Sequence, residues 1–229
     1  MATTLIRSFG ICLALVCFTG IASAMTKPMG LVAPGVGWAV QGDCVLLWTN
    51  DDGAHWTDIT PHDPSSREIA GVSFLDASRG WVLFAVRDEE SNDQTGFNLA
   101  STTNGGASWM VTRLTPPPSD TNVLFPYGEI FFLDAADGWM NLVTGLLATT
   151  DGGKTWNPIV AANGGGGYGP IRFTDRQNGW IAGGPDEEHL YITHDGGRHW
   201  KDVVVPAPRS ISRLFSTMTA QYGLTCIQG

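Results

Sequence analysis

An octapeptide ending in tryptophan is written four times along this chain: TNDDGAHW at 49–56, TTNGGASW at 102–109, TTDGGKTW at 149–156 and THDGGRHW at 193–200. The closing tryptophans Trp56, Trp109, Trp156 and Trp200 are 53, 47 and 44 residues apart. A second motif keeps step with the first: FLDASRGW (74–81), FLDAADGW (132–139), FTDRQNGW (173–180) and a degenerate PGVGW ending at Trp38. Eight of the nine tryptophans thus fall on two repeat positions, Trp48 being the exception. A repeat spacing of 44 to 53 residues requires one supersecondary unit stacked several times, because no single unit buries its own apolar face.

Each unit reads as four short strands. In the third, Val123 to Leu133 leads into the turn Asp134-Ala135-Ala136-Asp137-Gly138; strands follow at Trp139 to Val143, Leu146 to Thr150 and Thr155 to Val160. Turn signals every 8 to 12 residues, with no sustained helical period, argue for an all-β chain. Four strands in about 45 residues, repeated, is the arithmetic of a β-propeller blade. The units fall at about 30–60, 68–115, 123–161 and 169–206, and 210–229 begins a partial fifth, so the ring is a small closed one, an open one or an incomplete one. Residues 25–229 form one domain on this reading.

Within the octapeptide every residue type has a structural task. A short polar side chain at the third position (Asp51, Asn104, Asp151, Asp195) accepts hydrogen bonds from the backbone N–H groups of the following turn. Glycines there permit positive φ, and the tryptophan packs between sheets. Asn104 cannot act as a base or nucleophile, and Asp52 stands where the other copies have glycine; both departures suit a fastener better than a catalyst. Asp76, Asp134 and Asp175 of the second motif read as turn caps.

The pattern Ser/Thr-x-Asp-x-Gly-x-x-Trp resembles the Asp-box, or BNR repeat, of sialidases, some other glycoside hydrolases, sortilin-type receptors and the photosystem II stability/assembly factor family. The pairing with an upstream F-x-D-x-x-x-G-W is most similar to the assembly-factor group. The resemblance rests on Thr49, Asp51, Gly53 and Trp56; Thr102, Asn104, Gly106 and Trp109; Thr149, Asp151, Gly153 and Trp156; and Thr193, Asp195, Gly197 and Trp200. It implies a propeller with the boxes at the blade periphery, away from the ligand face, and a protein partner on a membrane complex. The rival it also implies is a glycan-active hydrolase or a lectin.

The other face holds the loops where the copies disagree. The second unit carries an insertion of about ten residues, RDEESNDQTG (87–96), and the fourth places PDEEH (185–189) at the matching point. Asp88, Glu89, Glu90, Asp93, Asp186, Glu187 and Glu188 are the candidate binding residues, able to attract a basic partner, to hold Ca²⁺ through oxygen ligands though without EF-hand spacing, or to stay a solvated acidic rim. Arg67, Arg87, Arg113, Arg172, Arg209 and Arg213, with Tyr127, Tyr168 and Tyr191, are the stock from which a sialidase-like site would need three arginines and a tyrosine-carboxylate pair. No metal-ligand spacing, serine-hydrolase elbow or phosphate loop occurs; neither a catalytic residue nor a cofactor is expected.

A net charge of −9 excludes the basic stripe that nucleic-acid binding needs. Residues 1–24 combine Arg7, an apolar run from Phe9 to Phe18 and the small-residue end Ala22-Ser23-Ala24, the layout of a secretory signal; Cys17 follows Val16, which does not suit a lipoprotein signal. The remainder is expected to be exported to the periplasm or beyond. Two cysteines lie past the signal, Cys44 and Cys226. In an oxidising compartment they either form a disulfide or remain two unpaired, buried thiols.

Overall fold

A computed structural model describes residues 29–42, 44–62, 66–87, 94–114, 128–142, 145–159, 169–183 and 189–204. Sixteen strands form four antiparallel sheets, each of four strands in sequence order. Sheet 1 contains β1 (Met29–Ala33), β2 (Val36–Gln41), β3 (Val45–Thr49) and β4 (Thr57–Asp58). Sheet 2 contains β5 (Ser66–Phe74), β6 (Gly80–Arg87), β7 (Gln94–Thr102) and β8 (Met110–Leu114). Sheet 3 is built from β9 (Gly128–Phe132), β10 (Gly138–Leu142), β11 (Gly145–Thr149) and β12 (Asn157–Ile159), and sheet 4 from β13 (Ile171–Phe173), β14 (Gly179–Gly183), β15 (His189–Thr193) and β16 (Lys201–Val204). Strands stand where the sequence of the third unit places them; β9 has five described residues and β12 three, and 123–127, 143 and 160 lie outside the described residues.

The repeat fixes the register. The phenylalanine of the upstream motif pairs with the glycine of Gly-Trp in three sheets: Phe74 with Gly80, Phe132 with Gly138 and Phe173 with Gly179. A Cβ on any of these glycines would lie within 2.4–2.7 Å of that phenylalanine ring, so the ring occupies the space a side chain would need.

Alternation along each strand sends successive side chains to opposite faces, and both faces of an inner sheet are used. Val82 and Phe84 of β6 face sheet 1, joining Val40 and Leu46. Trp81, Leu83 and Ala85 face sheet 3, joining Phe132, Met140 and Leu142. Trp139 and Leu146 then pack on Ile171, Phe173 and Ile181 of sheet 4. β5 lies against β9 and β9 against β13, so first strands form the hub and fourth strands the rim. Packing joins consecutive sheets, and no closed ring is formed among the described residues. Among those residues no helix is long and apolar enough to cross a membrane.

Candidate functional site

The box joins the third and fourth strands of each sheet, and its internal geometry repeats. The threonine hydroxyl (Thr49, Thr102, Thr149, Thr193) donates to the third-position oxygen at 2.8–2.9 Å and accepts the N–H of the second glycine, Gly53, Gly106, Gly153 or Gly197, at 2.9–3.0 Å. The third-position Oδ1 accepts the N–H four residues on: His55 to Asp51, Ser108 to Asn104, Thr155 to Asp151 and His199 to Asp195, each at 2.9 Å. These bonds stabilise the ionised carboxylate, and Asp51, Asp151 and Asp195 are lowered to about 2. The largest cause is the His55 backbone bond for Asp51, the Thr155 hydroxyl for Asp151 and the His199 backbone bond for Asp195. Asn104 makes the same turn as a neutral amide, with Nδ2 donating to the Ser108 hydroxyl at 2.8 Å.

Two further contacts tie the box down. The residue after the third position donates to a carbonyl of the upstream turn in its own sheet: Gly105 to Ser78, Gly152 to Ala136 and Gly196 to Gln177. The next glycine presses on the preceding sheet, where a Cβ at Gly106 would meet Ile59 at 2.8 Å, one at Gly153 Leu99 at 2.7 Å and one at Gly197 Ile159 at 2.9 Å. Trp81 Nε1 donates to Gly152 O at 3.0 Å and Trp109 Nε1 to Ile59 O at 2.9 Å, both across a sheet junction. The box therefore fastens sheets to one another as well as strands within a sheet. Ile59, Leu99 and Ile159 carry this role with no motif to mark them.

Asp52 is the one described non-glycine residue with positive φ, at 57°. Sheet 1 tolerates it because β1 and β2 are joined by Pro34-Gly35 alone. A Cβ at Gly105, Gly152 or Gly196 would meet a carbonyl of the longer turn at 2.8–2.9 Å, whereas Asp52 donates its N–H to Gly35 O at 3.1 Å without such crowding. The upstream aspartates cap their own turns, Oδ1 of Asp76, Asp134 and Asp175 each accepting two backbone N–H groups at 2.7–2.9 Å.

The acidic candidates Asp88, Glu89, Glu90, Asp93, Asp186, Glu187 and Glu188 lie outside the described residues, as do Cys226, Tyr127, Tyr168, Arg209, Arg213 and residues 210–229. Cys44 is exposed, which tells against the buried-thiol alternative at that position. Trp56 is also more open than a packed tryptophan should be, at 45% exposure. His189, which closes the PDEEH segment, is described. Its Nδ1 lies 2.8 and 2.9 Å from the two carboxylate oxygens of Asp202, and its ring stacks on Tyr191 at 5.8 Å. Burial, then the Asp202 charge, pushes the Tyr191 hydroxyl up.

At the hub, Glu129 of β9 accepts from Arg172 Nη1 at 2.7 Å and from the Ile171 N–H at 3.1 Å, while the guanidinium lies 5.6 Å from the Phe131 ring. Burial pushes Glu129 up, and the Arg172 charge opposes it. Arg79 pairs with Asp76, and Arg176 with Asp137 and Asp134. No three His, Cys, Asp or Glu side chains gather as metal ligands among the described residues.

No family model matches the sequence. The chain is 28% identical over 149 residues to the chloroplastic photosystem II stability/assembly factor HCF136 of Oryza sativa subsp. japonica, covering 62% of this chain and 35% of that protein. A solved structure of YCF48 bound to D1 peptide superposes at a TM-score of 0.55 with 22% identity, over 80% of this chain and 54% of that one. A Xanthomonas campestris GH74 xyloglucanase superposes at 0.57 with 16% identity, over 80% and 32%. A Trypanosoma rangeli sialidase does so at 0.51 with 16% identity, over 77% and 37%. The chain is an Asp-box β-propeller. It spans about a third of the curated relative and about half of the YCF48 chain, and resemblance at these identities to the solved structures is one of fold.

Proposed function

We propose that this Asp-box propeller is exported and non-catalytic, and acts as an assembly- or stability-factor-like scaffold that binds a segment of a protein partner, including partners within a membrane complex. The observation that carries the reading is the sequence similarity to a photosystem II stability/assembly factor. The likeness of fold to a YCF48 chain holding a peptide is in keeping with it. Each box oxygen is used within its own turn, so we assign the partner to the opposite ends of the strands, where β6 leads towards β7 and β14 towards β15.

The glycan-active reading is kept as the second one because xyloglucanase and sialidase chains share the fold. A clasp of three arginines is its requirement, and Arg172, on the first strand of sheet 4, is already paired with Glu129. The test is a pull-down from the native envelope with the purified chain as bait, run beside glycan-array binding and hydrolysis of fluorogenic glycosides. Specific capture of a protein, reduced when the acidic loops are neutralised, is the expected result. Binding or cleavage of soluble glycans without protein capture overturns the proposal.

A further inference from the structure

Asparagine followed by glycine is prone to lose ammonia, because no Cβ shields the glycine nitrogen and the backbone there turns freely. The pair occurs at Asn104-Gly105, Asn163-Gly164 and Asn178-Gly179, the second of which lies outside the described residues. In the reaction the glycine nitrogen attacks the side-chain Cγ. The N–Cγ bond forms, the Cγ–Nδ2 bond breaks, and ammonia departs with the proton of the glycine N–H. Water then opens the cyclic imide, at Cγ to give aspartate or at the main-chain carbonyl to give isoaspartate, whose backbone is longer by one carbon.

Asn104 is the exposed third residue of the second box, and the fold holds both reacting groups. The Gly105 N–H is donated to Ser78 O at 2.8 Å. The Asn104 Oδ1 accepts the Thr102 hydroxyl and the Ser108 N–H, each at 2.9 Å, and Nδ2 donates to the Ser108 hydroxyl at 2.8 Å. Nucleophile and leaving group are thus engaged elsewhere while the box is closed. Freeing them lifts the turn away from sheet 1, where Gly106 leaves no room for a Cβ against Ile59 and Trp109 Nε1 donates to Ile59 O. Water already reaches the exposed amide, so the reaction waits on opening of the turn.

The aspartate product has a place ready. In the third box Asp151 Oδ2 accepts the Thr155 hydroxyl at 2.6 Å, while Oδ1 accepts the Thr149 hydroxyl and the Thr155 N–H. Turning the Ser108 hydroxyl from acceptor to donor gives residue 104 the same set. Asn178 has no such product. Its Nδ2 donates to both oxygens of Asp175, at 2.8 and 3.1 Å, so a carboxylate there would face a carboxylate. Its glycine, Gly179, is also paired on both sides, with Phe173 and Thr193.

We infer that Asn104 is a spontaneous deamidation site gated by the junction between sheets 1 and 2. The closed box suppresses the reaction and its opening releases it. The aspartate form closes again with the bonds of the third box, whereas the longer backbone of the isoaspartate form does not fit the turn. Conversion at Asn104 therefore records how often this junction opens.

The test is peptide mapping by mass spectrometry of the full chain, folded and in denaturant, held in the same mildly alkaline buffer. Replacement of NH2 by OH in the peptide that holds Asn104 is expected to run about tenfold or more slowly in the folded chain. Ser108→Ala removes the acceptor that holds Nδ2, and is expected to speed the folded-state reaction about threefold while leaving the rate in denaturant unchanged. Asn104→Asp is expected to keep the thermal midpoint of the parent at neutral pH. Equal rates in the folded and denatured chains overturn the inference, as does a folded-state rate that Ser108→Ala leaves unchanged. Faster conversion at Asn178 than at Asn104 in the folded chain overturns it too, and a large drop in the midpoint of Asn104→Asp contradicts the place given to the product.

Discussion

The box of sheet 3 and the box of sheet 1 share one set of internal hydrogen bonds and differ in what surrounds them. Thr149 and Asp151 repeat the distances of Thr49 and Asp51. Yet Gly153 presses on Leu99 of the sheet before it, while a Cβ at Gly53 would meet nothing nearer than its own Trp56 at 3.5 Å. Gly152 is crowded by the Ala135 carbonyl, while its counterpart Asp52 carries a full side chain. The turn chemistry is local and survives at the end of the array; the fastening between sheets needs a neighbour.

The largest expected separation is at the phenylalanine position. Phe132→Ala removes a buried ring stacked on Trp81 and is expected to cost about 3 to 5 kcal/mol, against less than about 1 kcal/mol for Leu31→Ala. Chemical denaturation of both variants checks this, and equal costs would erase the distinction between end and interior. Next comes Gly153→Ala, which pushes a methyl group into Leu99 and is expected to cost about 1 to 3 kcal/mol more than Gly53→Ala by the same measurement. Both positions have positive φ, so the backbone term cancels in the difference.

A smaller effect appears with acid. The folded-state values of Asp51, Asp151 and Asp195 lie below the ordinary 3.8, at about 2. Their stabilising contribution is thus fully present above the unfolded value and is lost as pH falls from about 4 towards 2. Asn104 has no such titration. Asp151→Asn should remove part of the loss of stability in that window while keeping the fold at neutral pH; thermal melts between pH 2 and 7 read this, and an unchanged acid profile would contradict it. Smallest of all is Asp52→Gly. Relief of a left-handed aspartate, about 1 kcal/mol, is offset by the added freedom of glycine in the unfolded chain, so a thermal midpoint within a few degrees of the parent is expected.

The sheet count, strand order and box turns were legible because they depend on residues within eight positions of one another, written several times. Thr149, Asp151, Gly153 and Trp156 announce themselves by recurring. The contacts between sheets did not: Leu99 against Gly153 and Ile59 against Gly106 join residues 54 and 47 positions apart, and an aliphatic residue in a strand looks the same whether or not a glycine leans on it. The Glu129–Arg172 pair at the hub was hidden for a similar reason, since each residue alternates in its strand like any surface charge. At Asp52 the missing glycine was legible, but not that the two-residue turn Pro34-Gly35 removes the crowding. The acidic loops stand out through their disagreement between copies, and that disagreement supplies no register by which to place them.

The box is a fastener between sheets, and amide hydrogen exchange tests this most directly. The Gly153 N–H, donated to Thr149 between two packed sheets, should exchange about tenfold or more slowly than the Gly53 N–H, donated to Thr49 where no neighbouring sheet presses on the glycine. Equal protection at the two glycines would mean that the turn alone holds the box, and would contradict the account.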